Sequence, residues 1–481
     1  MSRSTVADVL ADGLRRAGTR RLFAVADGGD AHAVLDAASA AGLAVTFAST
    51  EAGACVMAAV TGDLTDAPGV VLTRDITPDV AAAVAAAAAD RAPMIVLTSG
   101  ATRALGGSKK MLGVEQETAA HRIAHAARLS MAIPRGPVQL DVPAEIAGRS
   151  ALPVATSCRP DSLPYPASES LDRAAQALAG AMRPLLLAGL YCRSEDAAQW
   201  VRAFAEALPA PVIASPRAKG VIPDPHPLML GMLGVSGAEP RLLSRADLVV
   251  AIGLDAALEP VPASSAPVLA FGPPPSADDR GASVQVVGDV SAVIEELAAR
   301  LRDKPRADWD VAELDRLRRE GARDAGNNLA ARLVRLAREA CPAETIAAVD
   351  AGARRGAASA AWHAIAPREF LTSSASERAG FALPAAIAAH LVHPDRRVVC
   401  FTDAAALMAT ARELETAARL ATPVVIVVFE DAAPDAVTRP LERYGVSVSV
   451  AENEPTFARA LGEGLGIAGP SLIVVTSRTP V

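Results

Sequence analysis

Two acids stand at the ends of two apolar runs in the C-terminal third of the chain. Val398–Thr402 leads into Asp403, and Val424–Phe429 leads into Glu430 and Asp431. Each run reads as a buried strand, and the stretch between them reads as an amphipathic helix. In an open α/β sheet, ligands bind at the carboxyl ends of the strands. A strand–turn–helix also presents free backbone N–H groups, which favour phosphate. Asp403 and Glu430 are therefore candidate oxygen ligands for a hard cation. A third acid, Glu51, opens a small-residue helix after Thr50. Plainer readings stand beside these: Asp403 and Glu430 as ordinary strand-end acids, and Glu51 as a first-turn acid of a helix capped by Thr50.

The elements that must position these acids alternate along the chain. Residues 1–150 carry strand patterns at Arg21–Val25, Ala44–Phe47, Gly69–Thr73, Met94–Thr98 and around Val138–Asp141, with helical patterns between. Ala151–Pro166 is rich in Pro and Ser and reads as a linker. Residues 167–302 repeat the alternation, with strands at Pro184–Ala188, Pro211–Ala214, Leu248–Ile252 and Pro267–Phe271, and a long polar loop from Ser215 to Asp224. Asp303–Asn328 is strongly charged and reads as a second linker with an exposed helix. Residues 329–481 add strands at Ile346–Val349, Val398–Phe401, Val424–Phe429 and Leu472–Val475. The fold class is α/β, with three doubly wound parallel-sheet domains at 1–150, 167–302 and 329–481.

Composition removes several function classes. The net charge of −7 leaves no basic excess for nucleic acid or anionic lipid. The apolar run Val80–Ala89 is too short to span a bilayer, and no membrane partner is expected. The five cysteines are scattered and lack a CxxC pair, which argues against disulfides or zinc and for a reducing cytoplasm. His121 and His125 lie four apart without a third ligand and read as a surface pair. Ala26-Asp27-Gly28-Gly29-Asp30 is not GxGxxG, so a nicotinamide cofactor has little support.

A set of motifs, collinear over nearly the whole chain, resembles the thiamine-diphosphate-dependent enzymes of the acetolactate synthase and benzoylformate decarboxylase type. In the first block these are Ser49-Thr50-Glu51-Ala52-Gly53-Ala54, Asp90-Arg91-Ala92-Pro93-Met94 and Gly136–Pro143. In the second they are Arg183–Gly189, Lys219–Pro223 with His226-Pro227, and Ala246–Gly253. In the third they are Gly380–Ile387 and Glu413-Leu414-Glu415-Thr416-Ala417. The resemblance implies pyrimidine-binding, central and diphosphate-binding domains in that order. It implies a lyase or transferase that decarboxylates or ligates a 2-oxo acid or similar acyl donor, with thiamine diphosphate and Mg2+ as cofactors. In that scheme Glu51 meets the cofactor's aminopyrimidine and activates it. Asp403 and Glu430 hold the metal, backbone at Ala404 and Ala405 meets the diphosphate, and backbone at Arg378 and Ala379 meets the pyrimidine. A homodimer or homotetramer is implied, with Glu51 of one subunit facing the Asp403 region of another. FAD stays undetermined: some relatives bind a nucleotide in the central domain, and Arg217 and Lys219 are placed to meet one.

The same motifs depart from the family pattern where the chemistry is densest. The metal motif, Gly-Asp-Gly followed some 27 residues later by Asn, reads Thr402-Asp403-Ala404 with Glu430 in the Asn position. A Met that commonly precedes Gly380 is Ala379, and a Gly-Pro-Gly turn is replaced by Arg74–Pro78. These departures define the alternative: a degenerate family member that has lost the cofactor and serves a structural or regulatory role.

Overall fold

The computed structural model describes residues 4–26, 32–74, 76–99, 104–275, 281–301, 307–324, 328–350, 352, 355–375, 380–430 and 434–476. Strands β1 (Arg21–Val25), β2 (Ala44–Ala48), β3 (Gly69–Thr73), β4 (Met94–Thr98), β5 (Met111–Gly113) and β6 (Pro137–Asp141) form a first sheet in the order β2-β1-β3-β4-β6-β5. Strands β7 (Pro184–Ala188), β8 (Val212–Ala214), β9 (Met229–Met232), β10 (Leu248–Ile252), β11 (Val268–Gly272) and β12 (Val284–Val287) form a second in the order β12-β11-β10-β7-β8-β9. Strands β13 (Ile346–Val349), β14 (Phe370–Thr372), β15 (Val398–Asp403), β16 (Val424–Glu430), β17 (Ser447–Ala451) and β18 (Ser471–Thr476) form a third in the order β14-β13-β15-β16-β18-β17. The strands pair in parallel. The central ones are buried along their whole length, as in β3, β4, β7 and β10. That is why they read as unbroken apolar runs: helices cover both faces, so neither face needs polar residues.

The chain divides into two compact units. One comprises 1–161, 350–352 and 373–481, the other 162–349 and 353–372. In the first unit the Glu51–Thr65 helix packs on the Ala382–Val392 helix. Ala54, Ala58, Ala385, Ala386 and Ala389 are all buried, and such small side chains let two helices approach closely.

The strands β5, β9, β12, β14 and β17, of three to five residues each, lie outside the strand patterns of the sequence. The stretch between β15 and β16 holds two helices rather than one, Ala404–Thr410 and Glu413–Arg419, separated at Ala411 and Arg412. In the second unit the Ser215–Asp224 segment is not a solvated loop. Ser215 and Lys219 are buried, and Lys219 pairs with Asp224 at 2.6 Å. Arg217 donates to the carbonyl of Thr372, so both cations named for a nucleotide serve the fold. The Val311–Asp324 helix is anchored too: Leu314, Leu317 and Trp309 are buried, and Trp309 Nε1 donates to the Pro184 carbonyl.

Candidate active site

Asp403 ends β15 and caps the helix that follows: its Oδ1 accepts the Ala406 N–H at 2.9 Å. The residue that precedes it explains how a β-branched side chain fits where the motif calls for glycine. Thr402 is buried and its hydroxyl donates to Asp350 Oδ2 at 2.6 Å. Asp350 Oδ1 in turn accepts the N–H groups of Gly380, Phe381 and Ala382, at 3.1, 2.7 and 3.0 Å. One buried carboxylate thus satisfies the first N–H groups of the Ala382–Val392 helix and the Thr402 hydroxyl. Burial pushes the Asp350 carboxyl up against the opposite pull of these four hydrogen bonds.

Glu430 ends β16, where Asp403 is in register with Phe429. The two acids therefore stand at the carboxyl ends of adjacent strands, one register step apart. Both are partly exposed. Ala404 and Ala405 are the first two residues of the short helix capped by Asp403. Arg378, Ala379, Asp431, Asp75 and the Asp27–Asp30 segment lie outside the described residues.

Glu51 opens its helix, with Thr50 as the cap: Thr50 Oγ1 accepts the Gly53 N–H at 3.0 Å. The Glu51 carboxylate does more than complement the helix dipole. Its Oε1 accepts from the Thr73 hydroxyl at 2.6 Å and from the Arg74 N–H at 3.2 Å, both at the carboxyl end of β3. Its Oε2 has no partner among the described residues. Glu51 and Asp403 make no hydrogen bond to each other, and each is held by its own strand end.

The motif Glu413-Leu414-Glu415-Thr416-Ala417 does not by itself disclose a role for Glu413. It is fully buried, and its Oε1 accepts from the Thr50 hydroxyl at 2.6 Å. Its Oε2 accepts from the Thr416 hydroxyl at 2.7 Å and from the Ser49 N–H at 3.3 Å. Arg419, from the same short helix, donates to the Phe47 carbonyl. Glu413 therefore fixes the turn that delivers Glu51. A second buried acid acts alike: Asp90 accepts from the Ser373 hydroxyl at 2.7 Å and the Ser374 N–H at 2.5 Å. The motif position of Asp90 was a signal; its partner, 283 residues away, was not.

Comparison with known proteins decides the family. Residues 4–123 match the N-terminal TPP binding domain of thiamine pyrophosphate enzymes, 171–297 the central domain, and 350–476 the C-terminal TPP binding domain. The chain belongs to the thiamine pyrophosphate enzyme family. Relatives within it include the acetolactate synthase isozyme 1 large subunit of Escherichia coli, 29% identical over 62% of this chain and 55% of that protein. The catabolic acetolactate synthase of Raoultella terrigena is 26% identical over 96% and 89% of the two chains. A protein of Pseudomonas aeruginosa named probable 2-ketoarginine decarboxylase is 29% identical over 87% and 80%. The match with the Escherichia coli protein thus spans about half of that relative's length. A solved structure from Mycobacterium smegmatis, described as a candidate thiamin diphosphate-dependent enzyme, superposes with a TM-score of 0.80 over 99% of both chains; at 21% identity it speaks for the fold alone.

The donor chemistry fits a divalent cation. Asp403 Oδ1 is committed to the helix cap, while a Cβ built on Gly352 would lie 3.2 Å from Oδ2, so the glycine keeps that oxygen clear of side chains. Glu430 adds a second hard oxygen donor. Two carboxylates would offset the charge of a doubly positive ion, so such a seat would attract a diphosphate less than one built from Asp and Asn.

Proposed function

We propose that this protein is a thiamine-diphosphate-dependent enzyme that breaks or forms the carbon–carbon bond beside the carbonyl of a 2-oxo acid or similar acyl donor. The observation that supports it is the Glu51 carboxylate, fixed through one oxygen by Thr73 and Arg74 while the other is left for a partner. When bound, thiamine diphosphate supplies the nucleophilic carbon and the electron sink that such bond changes require. Glu51 Oε2 would be the atom that gives or takes a proton at the cofactor's aminopyrimidine. Asp403 and Glu430 would hold Mg2+, and the backbone at Ala404 and Ala405 would receive the diphosphate. Glu413 keeps the Glu51 turn in place, which spares the site a search among conformers. The reading includes a cytoplasmic homodimer or homotetramer.

Titration of the purified protein with thiamine diphosphate and Mg2+ in a calorimeter tests this, in parallel with Glu430→Asn and Glu51→Gln. Micromolar binding by the native protein is expected, tightened about tenfold by Glu430→Asn through removal of one like charge. Glu51→Gln is expected to bind comparably while turnover of a 2-oxo acid falls by about 10^2-fold or more. No binding by the native protein together with binding by Glu430→Asn would instead establish a degenerate member with a structural or regulatory role.

A further inference from the structure

The family raises FAD or another nucleotide for the central domain, and the residues there do not fit one. In the β12-β11-β10-β7-β8-β9 order the chain leaves β7 for β8 on one side and returns through β10 on the other. The crevice where such a sheet binds nucleotides therefore opens at the carboxyl ends of β7 and β10. A phosphate in it needs free N–H groups on the turn after β7, room beside that turn, and an uncompensated helix N-terminus.

Each requirement fails for a separate reason. The donors are used: the Leu190 N–H, after β7, and the Asp255 N–H, after β10, both donate to Glu259 Oε2, at 2.9 and 3.1 Å. The Ser215 hydroxyl, after β8, donates to the other oxygen of the same carboxylate. The room is gone, because a Cβ on Gly189 would lie 2.5 Å from the Leu254 Cα. The two turns are thus in backbone contact where a pyrophosphate would pass. The helix N-terminus is offset: in the Glu195–Ala207 helix, Ser194 caps the Ala197 N–H, and Glu195 and Asp196 occupy the first turn. Arg193, nearby, is buried and donates to the Leu190 carbonyl. A cavity of about 340 Å3 lies beside the cluster, and among its described lining residues Glu259 is the one charged group.

We infer that the central domain takes no nucleotide, because the carboxylate of Glu259 permanently occupies the donors that a nucleotide's phosphate would need. Glu259 is 7% exposed and joins three strand ends, so it is a built-in anion at the switch point of the sheet.

Calorimetry on the intact wild-type chain with FAD, ADP and adenosine tests this, whatever the outcome with thiamine diphosphate. No saturable binding of FAD or ADP is expected, corresponding to Kd weaker than about 1 mM. Adenosine binding without ADP binding would also support exclusion by the carboxylate, since adenosine lacks the phosphates. Micromolar binding of either phosphorylated ligand overturns the inference. Glu259→Ala supplies a second readout: formate and inorganic phosphate are expected to raise its Tm well beyond their effect on wild type, by refilling the vacated seat. Equal effects on both proteins would show that the carboxylate does not stand in for a bound anion. The wild-type titration is decisive even if this variant does not fold.

Discussion

Gly53 lies in the first turn of the Glu51–Thr65 helix, where replacing glycine by alanine ordinarily stabilises a helix by about 0.5–1 kcal/mol. Here the sign is expected to reverse. A Cβ at Gly53 would lie 2.2 Å from Glu413 Oε1, 2.5 Å from its Cδ and 2.9 Å from Thr50 Oγ1. A flexible glutamate on the surface would swing away, but Glu413 is fully buried and holds Thr50, Thr416 and Ser49. Moving its carboxylate by the ångström or so required breaks or stretches one or two charge-assisted hydrogen bonds, at about 1.5–3 kcal/mol each. After the propensity gain, Gly53→Ala should destabilise by about 0.5–5.5 kcal/mol, according to whether one or two of these bonds are lost. In a Glu413→Ala background the obstacle is gone, and the same methyl enters the vacated space at little or no cost. The double-mutant cycle should therefore show a coupling about equal to the cost in the wild-type background. Urea unfolding of all four proteins, followed by far-UV circular dichroism, measures it. A stabilised Gly53→Ala protein, or the same cost in both backgrounds, would refute the reasoning.

Two further outcomes follow from buried groups. Burial raises the folded-state pKa of Asp350 and Glu259 above their ordinary values of 3.8 and 4.5. The native state then keeps protons that the unfolded chain has lost, so their stabilising contribution is greatest below those ordinary values and falls as pH rises through the raised ones. The difference in Tm between wild type and Glu259→Gln should shift against wild type with rising pH across that window; a shift the other way contradicts the assignment. Glutamine can keep all three hydrogen bonds if the Ser215 hydroxyl accepts instead of donating. All five cysteines are free and buried, and burial pushes the Cys55 and Cys192 thiols up to about 12. Ellman's reagent should leave the native protein unlabelled and titrate five thiols in denaturant; rapid native labelling would contradict the packing.

The parts legible in the sequence are those with a local signature. Buried parallel strands such as Leu248–Ile252 are unbroken apolar runs, and Thr50 announces its helix by the chemistry of a cap. Edge strands such as Met111–Gly113 are too short for a pattern to form. The break at Ala411 and Arg412 carries neither Gly nor Pro to mark it. The polar residues that matter most were hidden for a different reason. Glu413, Asp350 and Glu259 satisfy backbone groups on other elements, and nothing near them in the chain says which N–H they will meet. Motif spelling pointed to Asp403 and Glu430. Nothing in the sequence connects Thr402 to Asp350, whose carboxylate accommodates the hydroxyl at the strand end that carries Asp403.

The Thr50–Glu413 hydrogen bond joins residues 363 positions apart. On a ribosome adding about 5–20 residues per second, the turn that carries Glu51 waits roughly 20–70 s before its partner exists. During that interval the alanine-lined face of the Glu51–Thr65 helix, which the Ala382–Val392 helix will cover, is exposed to solvent and to other nascent chains. The helix that carries Glu51 thus cannot complete its packing until residues 382–392 and Glu413 have been made.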